Sequence, residues 1–145
     1  MKFRTEIEIN KLRTSIEHSN NVLTIGSCFA ENIAEYFRST RFNILGNPFG
    51  VLYNPISIYN SLKFAVDEKE ISELDLVQHQ SEWHSFYHYS DFSNHDKNVV
   101  LDNVNTSIKS THSFLKKADF IEHCPESAEW TQKPAKRAQY HHHTY

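Results

Sequence analysis

Three consecutive residues could do chemistry together: Gly26, Ser27 and Cys28. A serine hydroxyl becomes a nucleophile when a neighbouring base, usually histidine, takes its proton. A cysteine thiol needs less help, because a helix N-terminus favours its thiolate. Both side chains fall where a short apolar run, Val22-Leu23-Thr24-Ile25, gives way to a helical pattern. Backbone N–H groups in a first helical turn have no intrahelical partner, and the helix dipole adds partial positive charge there. Such groups could hold the oxyanion of an acyl transfer. Gly26 would permit the tight turn and the close approach of a substrate. A plainer reading stands beside this one. Serine is among the commonest helix caps, and free cysteine is among the most buried residue types. Ser27 could therefore be a cap and Cys28 a packing residue. Glu31 lies four residues beyond Ser27, so the two do not make a well-formed capping box.

The other chemical residues point less clearly. The chain has ten histidines. His141-His142-His143 could attract a divalent ion, but adjacent residues rarely converge on one ion, and no Cys/His spacing resembles a structural zinc site. His84 and His88 would share one face of a strand with Phe86 between them, as ordinary sheet positions. There is no Gly-rich phosphate loop and no dinucleotide fingerprint. The expectation is a site without metal or cofactor.

The elements that must position Ser27 and Cys28 can be read from periodicity. Val22 to Ile25 is β-branched and apolar, a strand buried on both faces. Phe29, Ala30, Ile33, Ala34 and Phe37 then make one helical stripe, ending around Ser39-Thr40. Phe42-Asn43-Ile44-Leu45 is the next candidate strand, and strand–helix–strand in that order favours a parallel crossover. Gly46-Asn47-Pro48-Phe49-Gly50 is a loop. Asn54-Pro55 opens a second helix, with Ile56, Tyr59, Leu62, Phe64 and Ala65 as its apolar face. Leu76–Gln80 and Trp83–Tyr89 read as a hairpin around Ser81-Glu82. Asp102 or Asn103 could cap a third helix bearing Val104, Ile108, Phe114, Leu115 and Ala118. Residues 1–10 alternate apolar and charged, as a half-exposed strand would. From 121 to 145 neither period is visible, and that stretch reads as an aberrant or unstructured tail after a domain at 1–120.

Composition bounds the partners. With 145 residues, 39% of them apolar, there is material for about one domain with a core. A net charge of -3 gives no basic footprint for nucleic acid. No apolar run approaches a membrane span, and the opening residues lack the apolar stretch of a signal peptide. With only two cysteines, a reducing cytoplasm is the simpler setting.

The stretch Thr24-Ile25-Gly26-Ser27-Cys28-Phe29-Ala30-Glu31-Asn32-Ile33 resembles the signature that names the GSCFA family. Phe3-Arg4-Thr5-Glu6, the Gly46–Pro55 segment, Trp83-His84-Ser85-Phe86 and Ser90-Asp91-Phe92-Ser93 are similar to that family too, so the likeness runs from about residue 3 to 120. The family is regarded as similar to SGNH/GDSL hydrolases. The resemblance implies an α/β, three-layer flavodoxin-like fold and an acyl-ester hydrolase or acyltransferase acting on an acylated glycan or another small acyl ester. The first conserved block of those hydrolases is Gly-Asp-Ser with a serine nucleophile. Laid on this chain it puts Ser27 at the aspartate and Cys28 at the nucleophile, and a shifted register would make Ser27 the attacker. A later block supplies a glycine N–H to the oxyanion hole, which points to Gly46, Asn47 or Gly50. Asn47 and its glycines are also ordinary turn residues.

The resemblance also implies a histidine base in an Asp-x-x-His block near the C-terminus, and no such block occurs here. Such folds need about five parallel strands, and only two candidates precede residue 120. The expectation is a truncated domain, inactive as this chain, whose tail is a frameshifted or early-terminated reading. A non-catalytic SGNH-fold binding module and a non-functional gene fragment are the alternatives.

Overall fold

The computed structural model describes residues 15–124. The alternating opening at 1–10 and the His141-His142-His143 tract lie outside them.

Strand β1, Asn21–Gly26, is the middle of a three-stranded parallel sheet. Val22, Leu23, Thr24 and Ile25 are all fully buried, as a strand covered on both faces requires. On one side β2, Asn43–Gly46, pairs from Asn21↔Asn43 to Thr24↔Gly46. On the other, β5, Phe120–Cys124, pairs from Val22↔Phe120 to Gly26↔Cys124. The order is β2-β1-β5. Between β1 and β2 runs α1, Cys28–Ser39, which lays Ala30 and Ala34 on the sheet. Gly46 admits this close approach: a Cβ there would stand 2.3 Å from Ala34 Cβ.

The opposite face carries the main core. Ile25 packs with Phe49 and Leu52, with Ile58 and Ala65 of α2 (Pro55–Val66), and with Val100, Val104 and Ile108 of α3 (Lys97–Leu115). The layers are therefore α1, the sheet, and the α2/α3 pair. This is the α/β, flavodoxin-like arrangement expected from the sequence.

Local chemistry set most boundaries as expected. Asn54 Oδ1 accepts from Ile56 N at 2.9 Å and Pro55 takes the first helical position. Four expectations need correction. The buried side of α2 carries Ile58, Ser61 and Ala65, while Ile56 and Tyr59 are exposed. Ser61 can be buried because its hydroxyl reaches Ser57 O at 2.8 Å and Tyr87 O at 2.7 Å. Helix α3 begins at Lys97, capped by Asp96, whose Oδ1 accepts from Asn98 N at 2.8 Å. Its first two residues, Lys97 and Asn98, are polar and mask that start in the sequence. The hairpin is β3 (Leu76–His79) and β4 (Glu82–Ser85), joined by Gln80-Ser81, both at positive φ as a type I′ turn demands. Strand β4 stops at Ser85 because His88 N turns back to Ser85 O.

The fourth correction concerns β5. Regular structure continues past residue 120 to Cys124, so the sheet has a third parallel strand. Neither period is visible there because a ladder is made by backbone groups, and the free edge of β1 offers partners whatever the side chains.

Candidate active site

The turn from β1 into α1 sits at the carboxyl end of the central strand. Strands β2 and β5 flank β1 on opposite sides, which makes this edge the switch point where open α/β sheets bind ligands. Gly26 ends the strand at φ 148°, a conformation that side-chain-bearing residues rarely adopt. Ser27 follows as the N-cap of α1, and its Oγ accepts from Phe29 N at 3.3 Å. It is 8% exposed. Cys28, the first helical residue, is exposed and carries a free thiol. Among the described residues nothing accepts its backbone N–H, as expected of an orphan donor in a first turn.

Asn47, the residue after β2, locks this turn. Its backbone N–H donates to Thr24 O at 2.8 Å, and its carbonyl accepts from Gly50 N at 2.8 Å. Its side chain bridges the turn itself: Oδ1 accepts from Gly26 N at 2.9 Å and Nδ2 donates to Ser27 O at 3.4 Å. Leu52 N donates to Gly26 O at 2.8 Å. Asn47 is buried and held at φ 40°, a left-handed conformation that asparagine tolerates better than most residues.

The structure thus brings Gly26, Ser27, Cys28 and Asn47 together. The other two candidates sit elsewhere. Gly46 is pressed under Ala34. Gly50, at φ 77°, packs against Tyr89 Cβ, and its N–H is already spent on Asn47 O. Among the described residues no histidine hydrogen-bonds to Ser27 or Cys28, and no group of three or more His, Cys, Asp or Glu could hold a metal ion. His84 is occupied by Ser93 Oγ at 2.7 Å and His79 O at 3.3 Å.

A further pair is not marked by any motif in the sequence. Ser85 Oγ lies 2.9 Å from His88 Nδ1, and both residues are 8% exposed. The imidazole packs edge-on to Phe49 and beside Phe92, and its Nε2 is buried without a partner among the described residues. Burial holds its pKa down to about 4, so the ring is neutral at pH 7. Tyr89 N donates to Phe49 O, which ties this pair to the Asn47 loop. Its only signal in the sequence is a serine three residues before a histidine at a strand end.

Among the described residues no helix is long and apolar enough to cross a membrane. No curated protein and no solved structure matches the chain. The GSCFA family model matches residues 21–122, a span that runs from the start of β1 into β5 and includes the whole Gly26–Cys28 turn and its Asn47 lock. The chain belongs to the GSCFA family.

Proposed function

We propose that the Gly26-Ser27-Cys28 turn is the nucleophile site of an SGNH-like acyl-ester hydrolase or acyltransferase, with Cys28 as the attacking group. One observation carries this reading: an exposed thiol stands at the first residue of α1, beside its own free N–H, at the switch-point end of the central strand. Ser27 fits the role less well, since it is nearly buried and its oxygen is engaged as a cap.

In the proposed reaction the Cys28 thiolate attacks the carbonyl carbon of an acyl ester. The carbonyl π electrons move to oxygen, and the resulting oxyanion is held by the Cys28 N–H and the positive end of α1. When the tetrahedral species collapses, the C–O bond to the alcohol breaks and the alkoxide takes a proton from solvent. Water, or a second alcohol, then attacks the thioester carbon and loses its proton to solvent; the C–S bond breaks, Cys28 leaves as thiolate, and the acyl group departs as a carboxylic acid or a new ester. Acylated glycans and small acyl esters are the proposed substrates, by analogy with relatives of the fold. A thiol nucleophile works best in a reducing compartment, so the cytoplasm is the proposed setting.

The test is incubation with p-nitrophenyl acetate followed by mass spectrometry of the peptides. Acetyl on Cys28, retained in Ser27→Ala and lost in Cys28→Ala, is expected. A folded chain that takes no acetyl group at either position would instead favour a non-catalytic binding module.

A further inference from the structure

We infer that Asn47 is a positioning residue that aims the oxyanion donor, rather than an oxyanion donor itself. The inference rests on the nucleophile reading of the Gly26–Cys28 turn. Both side-chain atoms of Asn47 are already committed within the chain, Oδ1 to Gly26 N and Nδ2 to Ser27 O. The residue is also buried, so its carboxamide faces into the turn rather than out to a substrate.

What it does control is one peptide plane. Ser27 O accepts from two directions, Asn47 Nδ2 at 3.4 Å and Glu31 N at 3.3 Å. In a trans peptide the carbonyl and the following N–H point opposite ways. Fixing Ser27 O inward thus turns the Cys28 N–H outward, toward the mouth of the turn. Oδ1 also withdraws the Gly26 N–H from any substrate, while the Cys28 N–H next to the thiol has no acceptor among the described residues. The whole lock is anchored in β2 and β1 through Asn47 N to Thr24 O, which makes it rigid where precision matters.

Asn47→Asp and Asn47→Gly test this with two reagents. Acetylation of Cys28 by p-nitrophenyl acetate develops an oxyanion; alkylation by iodoacetamide does not. In Asn47→Asp one carboxylate oxygen still accepts from Gly26 N, but the other meets Ser27 O with no proton between them. Acetylation should fall about tenfold to a hundredfold relative to the native chain, while alkylation changes less than about twofold. The deficit should shrink as pH is lowered from 8 to 5, because the protonated carboxyl can donate to Ser27 O. Asn47→Gly, which keeps the left-handed backbone without strain, should show the same deficit at every pH. Acetylation and alkylation falling together would mean that Asn47 only holds the fold, and unchanged acetylation would mean that it aims nothing. Either result overturns the inference while leaving Cys28 as the nucleophile. A native chain that takes no acetyl group overturns the nucleophile reading and this inference with it.

Discussion

Strands β1 and β5 are neighbours in one parallel sheet, paired over five consecutive positions, yet their side chains meet the surroundings in opposite ways. Leu23 is fully buried; its partner Ile121 is 36% exposed. Thr24 is fully buried, with its hydroxyl turned to Ala30 O at 3.4 Å. Its partner Glu122 buries one carboxylate oxygen without a hydrogen-bond partner among the described residues. Burial pushes the Glu122 carboxyl above the usual carboxylate range. Both strands satisfy the ladder, but only β1 satisfies the layers on either side of it. The candidate nucleophile hangs from β1, where backbone and side chains agree, and that agreement fixes where Ser27 and Cys28 stand.

The largest expected effect measures this asymmetry directly. Leu23→Ala should destabilise the fold by about 2–5 kcal/mol, the range for truncating a fully buried leucine. Ile121→Ala, on the adjacent position of β5, should cost less, because about a third of that residue stays in water. Urea unfolding of the two variants decides the matter. Equal losses would mean that β5 is as tightly built as its neighbour.

The pH dependence of stability sets β5 against a second buried group, His88 in the turn after β4. His88 has a folded pKa near 4 against an ordinary value of 6.5. Below 6.5 the unfolded chain binds the proton more readily, so the His88 contribution is complete above that pH and drains away as pH falls toward 4. The full loss is about 3 kcal/mol. Glu122 works in the other sense. Its folded pKa lies above 4.5, so its contribution is greatest below that pH and is lost as pH rises through the folded value. Replacing each group isolates its share. His88→Phe should flatten the stability curve between pH 4 and 6.5. Glu122→Val should raise stability at pH 7 by about 1 kcal/mol, since a partly buried carboxylate with one unpartnered oxygen is replaced by a β-branched strand former. A Glu122→Val chain weaker than native at pH 7 would show that β5 depends on that carboxyl.

Much of this was legible in the sequence because local rules and tertiary packing agree around the site. The run Val22–Ile25, the glycine after it and the stripe from Phe29 to Phe37 predict strand, turn and helix, and the structure has all three. The three glycines of the chain fall in the turn and the loop that interlock, so the sequence marks both halves of the site. What it does not mark is how they meet. Asn47 reads as turn chemistry from its neighbours, and only the parallel pairing of β1 with β2 sets its carboxamide beside Gly26 and Ser27. The buried Ser85–His88 pair is hidden for the same reason: Phe49 and Phe92, which bury the histidine, come from segments whose meeting no periodicity encodes. Strand β5 is not visible in the sequence because the rule that identifies strands is a side-chain rule, and a ladder is made by backbone groups.

The smallest effects lie within the turn itself and distinguish its two candidate nucleophiles. Ser27→Ala removes the acceptor for Phe29 N, and loss of a serine cap costs about 1 kcal/mol. Cys28 is exposed and its side chain makes no hydrogen bond among the described residues, so Cys28→Ala should change stability by less than about 0.5 kcal/mol. The chemical consequences are expected to run the other way, with acetylation surviving the first change and vanishing in the second. A residue that matters to the fold but not to the chemistry, next to one that matters to the chemistry but not to the fold, is what a cap followed by a nucleophile should look like. If thermal unfolding shows Cys28→Ala to be the costlier change, the thiol is a packing residue, and the search for the nucleophile returns to Ser27.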